Sequence, residues 1–419
     1  MFPDRSSLEL HQTQRLRDLL AAISGNAFYQ AKFAAAKLHP RDVRSLADLS
    51  RVPFTTKQEL LADQQQHPPY GTALTYPRDR YVRMHQTSGT TTGQPMRWLD
   101  TAESWQWMLG CWDRIFEWIR LDASDRLFFA FSFGPFLGFW TAFEAAARAG
   151  RCVLPGGGMS STGRLRFLIE HRATVVFCTP TYALHLAEVA HQERIDLASG
   201  GVRMLVVAGE PGGSIAATRN RIESAWGARV IDHSGMTEIG PCAVECWDAP
   251  GSLQILESEY IAEIVPPSEE SSDPNVGELV LTNLGRIGSP LIRYRTGDLV
   301  KVDASAGGVF RRLTGGILGR VDDMIHLRGN NVYPSAIESI VRRFPEIAEF
   351  RIVIRQAGAL AEMRIEIEPM PGSDGAILID HIGKAMRDEL LFRADVVAVP
   401  PGSLPRYELK ARRVVREDN

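Results

Sequence analysis

Between residues 127 and 232 short apolar runs alternate with stretches of helical spacing, and this alternation constrains the fold more than any other feature of the chain. The runs are Leu127 to Phe131, Arg151 to Leu154, Thr174 to Cys178, Met204 to Ala208 and Arg229 to Asp232, with helices expected at 140–149, 181–192 and 214–226. Strands that alternate with helices need crossover connections, which predicts βαβ units and a largely parallel sheet. Ligands of such sheets bind beyond the carboxyl ends of the strands. Ala208-Gly209-Glu210-Pro211 and Asp232-His233-Ser234-Gly235 are expected at such ends. From about 253 to 315 the pattern becomes short alternating strands with turns, a small β subdomain. A last unit from Gly319 reads as a strand pair, a helix at 335–343, strands at 348–355 and 362–368, a helix at 376–390 and a tail. At the other end, Leu8, Leu16, Leu19, Leu20 and Ile23 share one face of packing helices.

A chain of 419 residues is longer than one hydrophobic core sustains, so more than one domain is expected. The predicted class is α/β: a large N-terminal domain, 1–318, with parallel βαβ sheets plus the small β subdomain, and a small α+β C-terminal domain, 319–419.

Residues 87 to 93 read Thr87-Ser88-Gly89-Thr90-Thr91-Thr92-Gly93. Glycines let backbone N–H groups converge on an anion, and hydroxyls add donors that turn to fit phosphate oxygens. The segment lacks the Gly-Lys-Ser ending of a Walker A loop. Read alone, it is equally a polar turn.

Further segments follow in order. They are Asp232-His233-Ser234-Gly235-Met236-Thr237-Glu238-Ile239, Arg293-Tyr294-Arg295-Thr296-Gly297-Asp298, Gly319-Arg320-Val321-Asp322, Arg328-Gly329-Asn330-Asn331-Val332-Tyr333-Pro334, and Gly402-Ser403-Leu404-Pro405-Arg406 with Lys410. Taken together they resemble the signature set of the adenylate-forming superfamily, the acyl-CoA synthetases and their kin. Cys178-Thr179-Pro180-Thr181-Tyr182 and Asn331-Val332-Tyr333-Pro334 make the likeness greatest to the phenylacetate-CoA ligase family.

The resemblance implies ATP, Mg²⁺ and CoA as cofactors and substrates, and it assigns roles. Residues 87 to 93 would close over the ATP phosphates, although the loop has one residue more than the family spacing and Gln94 stands where relatives carry Lys. Gly209, Glu210, Pro211, Asp232, His233, Ser234, Gly235, Met236 and Thr237 would border the adenylate. Ser234 replaces the family's aromatic residue there, so His233 or the backbone of 209–211 would pack the adenine instead. Glu238 would ligate Mg²⁺, a hard cation that takes carboxylate and phosphate oxygens. Asp298 would accept the ribose hydroxyls, with a surface ion pair to Arg293 or Arg295 as the alternative. Arg320 would join the nucleotide and the catalytic set of Thr237, Glu238 and Lys410. Lys410 would offset charge that develops as the acid attacks the α-phosphate, although Leu409 precedes it where relatives have Gly. Asp322 would be the hinge of a mobile C-terminal domain, and Arg328, Gly329 and Asn330 would lie close to CoA.

The run from Phe131 to Trp140 would border the acyl pocket, through Phe131, Phe133, Gly134, Pro135 and Phe136 with Ala208, Gly235, Met236 and Ile239. An apolar acid, aryl or arylacetic, is implied. The activity implied is ATP-dependent formation of an acyl-AMP and transfer of the acyl group to CoA. Delivery to a carrier-protein thiol or other acceptor remains open, as does a non-catalytic nucleotide or acyl-CoA binding module.

A formal net charge of -3 leaves no basic footprint for nucleic acid or an anionic membrane. No apolar run is long enough to span a bilayer, and the start, Met-Phe-Pro-Asp-Arg-Ser-Ser, is too polar for a signal peptide. A cytoplasmic protein acting on small molecules is expected, with a homodimer left open. The five cysteines read as buried free thiols. Cys242 and Cys246 offer a zinc site only if other ligands complete it.

Overall fold

Val175–Cys178 and Met204–Ala208 are the clearest product of the apolar alternation: they pair in parallel, and every residue of the first is buried. Burial on both faces is why such strands read as unbroken apolar runs. Thr179 then caps Pro180–Gln192 through the Tyr182 N–H, with Pro180 in the first turn, where its missing donor costs nothing. The computed structural model describes residues 2–417 other than 88–94, 267–272, 274, 305–306, 328–329, 358–359, 391, 393 and 409; side chains at 326, 327, 330, 331, 356, 357, 360 and 361 are also outside the description.

The fold is mixed α/β, with a large sheet and a separate four-stranded one. By compactness the chain forms two units, Met1–Gly157 with His233–Gly316, and Gly158–Asp232 with Ile317–Asn419.

The first unit opens with the helix Arg5–Ala22, capped by Asp4 and burying Leu8, Leu16, Leu19 and Leu20. A hairpin pairs Tyr81–Gln86 with Arg97–Thr101, Gln86 opposite Arg97. Arg126–Phe129 runs parallel to Cys152–Pro155, with the helix Trp140–Arg148 between them in sequence. Not all pairing here is parallel. Gly240–Glu245 pairs antiparallel with Ser252–Ile255, and Tyr260–Val265, Val276–Asn283 and Tyr294–Val302 form an antiparallel series. Arg229–Met236 runs four residues beyond the expected end at Asp232, because its second half finds an antiparallel partner in Gly240–Glu245. Asp232 to Gly235 therefore lie within the strand, and Asp298 lies inside Tyr294–Val302.

In the second unit the small sheet has the order Asp395–Ala398, Leu360–Pro369, Ile347–Ala357, Val414–Glu417, antiparallel at its centre and parallel at both edges. Its own core includes Ile337, Ile340, Ile352, Ile365, Ile382 and Met386. The segment between Asp395–Ala398 and Val414–Glu417 bonds both to this sheet and to 158–232 through charged groups. Arg406 Nε donates to Glu188 at 3.2 Å and its Nη2 to Glu368 at 2.6 Å; Arg164 meets Glu408 at 3.4 Å; Arg413 donates to Glu349 at 2.9 Å and to the Thr181 hydroxyl at 3.1 Å.

The thiols differ from the uniform burial expected. Cys111, Cys178 and Cys242 are buried, Cys246 is half-buried and Cys152 is exposed. No described helix is long and apolar enough to cross a membrane.

Candidate active site

Thr237 and Glu238 follow directly on the strand Arg229–Met236, and three side chains fix them. Arg286 Nη1 donates to the Thr237 carbonyl at 2.8 Å. That guanidinium is held bidentate by Asp100, at 2.6 and 2.7 Å, with both side chains fully buried. The Tyr294 hydroxyl donates to Glu238 Oε1 at 2.9 Å. The Thr237 hydroxyl accepts from the Leu137 N–H at 3.4 Å, which ties the Thr-Glu turn to the aromatic segment. Glu238 is 7% exposed, and Tyr294 is its only hydrogen-bond donor among the described residues. A buried carboxylate held at one oxygen suits a hard cation such as Mg²⁺. Asp100, Arg286 and Tyr294 carry no sign of this role in sequence, except that Tyr294 falls inside the Arg-Thr-Gly-Asp segment.

Phe131, Phe133, Phe139 and Trp140 form a contiguous aromatic cluster, with centroids 4.8 Å apart for Phe131 and Phe133, 5.5 Å for Phe131 and Phe139, and 4.4 Å for Phe133 and Trp140. The glycines of this segment seat the Phe136 ring, since a Cβ on Gly134 would lie 2.7 Å from it and one on Gly138 2.9 Å. The Pro135 carbonyl accepts from the Gln86 N–H at 2.7 Å, so the cluster meets the foot of the Thr-rich loop. There Thr87 and Met96 bond reciprocally: Thr87 N–H to the Met96 carbonyl at 2.9 Å, Met96 N–H to the Thr87 hydroxyl at 3.0 Å.

His233 joins this cluster, with its ring 4.6 Å from Trp112 and 6.3 Å from Phe139. Its Nδ1 lies 2.9 Å from the Ala243 carbonyl, which can only accept, so Nδ1 carries the proton. Burial pushes the imidazole down to about 4, because a buried charge is poorly solvated. Gly235 is exposed, but a Cβ there would stand 2.9 Å from the Gly240 carbonyl oxygen, 3.2 Å from Pro241 Cα and 3.4 Å from His233 Nε2. Close strand approach at a register break thus explains this glycine. Ile239 is fully buried and Met236 half-buried.

Asp298 is 6% exposed, and its N–H bonds the Thr296 hydroxyl at 3.0 Å. The arginines weighed as its partners are engaged elsewhere. Arg293 pairs with Glu263 at 2.7 Å, and Arg295 Nε donates to Glu278 at 2.8 Å.

In the second unit the Lys410 side chain lies over Gly209, where a Cβ would be 3.3 Å from Lys410 Cε. Glu210 adjoins both segments: one carboxylate oxygen accepts from the Thr181 N–H at 2.9 Å, the other from the Ala411 N–H at 2.6 Å. Pro211 is exposed at the following turn. Asp232 accepts from the Ser214 hydroxyl at 2.5 Å and leaves no room for a Cβ on Gly213. Ala208 ends its strand half-buried. Arg320 Nε donates to Asp322 at 3.0 Å, and Asp322 sits in the short turn Val321–Asp323. Ser88, Gly89, Thr90, Thr91, Thr92, Gly93, Arg328 and Gly329 lie outside the described residues, as does the Asn330 side chain. The Ser234 carbonyl accepts from the Cys242 thiol at 3.4 Å.

Comparisons with known proteins identify the family. The family model for AMP-binding enzymes matches residues 22–284, and that for the AMP-binding enzyme C-terminal domain matches residues 329–417. Phenylacetate-coenzyme A ligase of Escherichia coli (strain K12) is 30% identical over 97% of this chain and 94% of its own length. The enzyme of that name from Thermus thermophilus is 31% identical over 98% and 97%. Among solved structures, 2-hydroxyisobutyryl-CoA ligase in the postadenylation state with 2-HIB-AMP matches with a TM-score of 0.93 at 28% identity, covering 99% of this chain and 91% of that one. The same ligase in its thioesterification state, with 2-HIB-AMP and CoA, gives a TM-score of 0.74 at 29% identity, covering 100% and 91%. Matched over most of its length, the chain belongs to the AMP-binding enzyme family, as an AMP-forming acid–CoA ligase that works through an acyl-AMP with ATP, Mg²⁺ and CoA.

Proposed function

We propose that the acid is apolar, aryl or arylacetic, and that the aromatic cluster of Phe131, Phe133, Phe139 and Trp140 receives it. The observation that carries this reading is that the cluster connects directly, through Leu137 and Thr237, to the carboxylate Glu238. A carboxylate oxygen of the acid attacks the α-phosphorus of ATP, the bond to the β-phosphate bridge oxygen breaks, and pyrophosphate leaves. Glu238, oriented by Tyr294 and Arg286, would hold Mg²⁺, which supplies positive charge to the phosphates. Lys410 offsets the charge that develops at the reacting oxygens. Thr87 and the loop that follows it hold phosphate, Asp298 holds the ribose, and Arg320 contacts the nucleotide.

Residues 319–419 then turn as a domain about Asp322, which removes Lys410 and brings the region of Arg328, Gly329 and Asn330 to CoA. The thiolate attacks the acyl carbonyl and AMP leaves with the bonding pair. A hinge of a few residues is enough for such a turn. The enzyme works in the cytoplasm, with a homodimer as a compatible assembly. The test is pyrophosphate release over aryl, arylacetic and aliphatic acids, with and without CoA. Release with arylacetic acids, and thioester only with CoA, is expected. Release confined to short aliphatic acids would overturn the aryl reading.

A further inference from the structure

Within the aromatic cluster of the first unit one atom stands out chemically. His233 is 7% exposed and packed against Trp112 and Phe139, and its Nδ1–H is committed to the Ala243 carbonyl. That bond fixes the tautomer and leaves Nε2 with a lone pair, an acceptor and not a donor. Among the described residues nothing donates to Nε2. It lies over Gly235, 3.4 Å from where a Cβ would be, on the strand that leads into Thr237 and Glu238. Of the rings packed against His233, Phe139 touches Phe131, and Trp112 Nε1 donates away to the Thr141 hydroxyl at 2.8 Å.

We infer that His233 Nε2 is a specificity determinant for the acid, accepting a hydrogen bond from a hydroxyl or N–H group carried on the substrate's apolar body. The inference rests on the proposed acyl site and narrows it, from apolar acids in general to apolar acids that bear one donor. The physical reason is asymmetric. An acceptor on a ring only 7% exposed gains a well-shielded partner from a donor acid, whereas a methyl group in the same place would cover it and leave it unsatisfied. Burial keeps the ring neutral at working pH, with its pKa lowered to about 4.

The test compares isosteric pairs on the full-length native chain: 2-hydroxyisobutyrate against pivalate, 4-hydroxyphenylacetate against 4-methylphenylacetate, and 2-aminobenzoate against 2-methylbenzoate, read as kcat/KM for pyrophosphate release. At least one donor acid should exceed its methyl partner by about tenfold or more. His233→Leu should bring that ratio to within about twofold of unity, a change that a merely structural role would not produce. Equal rates within every pair, preference for the methyl acids, or an unchanged ratio in His233→Leu would each overturn the inference while leaving the ligase reading intact. Absence of pyrophosphate with every acid would instead overturn the proposed function, and the inference with it. The native ratios decide the matter even if the variant does not fold.

Discussion

Gly235→Ala distinguishes a glycine kept for a ligand from one kept for the backbone. The sequence places Gly235 at the acyl or adenylate site, where a side chain would obstruct binding and leave stability unchanged. The structure adds a different constraint. The new methyl would stand 2.9 Å from the Gly240 oxygen and 3.2 Å from Pro241 Cα, both backbone atoms of the paired strand. Ordinary contact would need several tenths of an ångström more, and neither atom can swing aside as a side-chain tip could. Overpacking of this kind costs about 1–3 kcal/mol. At about 2–4 °C per kcal/mol for a unit of roughly 150–250 residues, the melting midpoint should fall by about 2–12 °C. Scanning calorimetry without ligand measures this directly, and acid titration of pyrophosphate release at a temperature where both proteins are folded measures binding separately. An unchanged midpoint with a raised KM for the acid would refute the backbone argument and return Gly235 to the ligand.

Three further outcomes are expected. Lys410→Ala should slow acyl-AMP formation strongly and leave thioester formation from supplied acyl-AMP nearly intact; equal losses in both half-reactions, measured in single turnover, would contradict the assignment. Asp100→Ala should destabilise by about 3–5 kcal/mol, because it strands the buried Arg286 guanidinium, and it should also slow pyrophosphate release through the Thr237 carbonyl; full stability in urea titration would count against the pair as a positioning element. His85 and His233 are both held near 4 by burial, below the ordinary value of about 6.5. The unfolded chain therefore takes up protons first as pH falls. Stability fully present above about 6.5 is lost progressively toward about 4, by up to about 1.4 kcal/mol per pH unit for each ring. His85→Asn should flatten that slope in pH-dependent urea unfolding, and an unchanged slope would show that this ring does not contribute.

The parallel strands were legible because burial on both faces leaves an unbroken apolar run, as in Val175–Cys178. Polar strands were not. Arg229–Met236 continues through Asp232, His233 and Ser234 because Gly240–Glu245 pairs with it, and that partner is a tertiary fact. The edge strands Asp395–Ala398 and Val414–Glu417 were likewise absent from the reading, since their partners lie far along the chain. At the site, Thr237 and Glu238 could be read from a local motif. Their supports could not: Asp100 and Arg286 are 186 residues apart in sequence, and only folding makes them neighbours. His233 was expected from sequence beside the adenylate, but the direction of its ring toward Trp112 could not be read there.

The way the C-terminal segment docks on 158–232 has a thermodynamic consequence. The small sheet keeps its apolar residues in a core of its own, and the docking contacts described are charged pairs and backbone N–H groups on Glu210. Heat-capacity change tracks apolar area exposed to water, and polar exposure opposes it. On these polar contacts, undocking would change the heat capacity less than unfolding of either core would. It would respond instead to ionic strength, since exposed members of these pairs such as Glu408 are screened by salt. Raised ionic strength should therefore weaken the exposed pairs of this contact first, and the buried bond from Arg413 to Thr181 least.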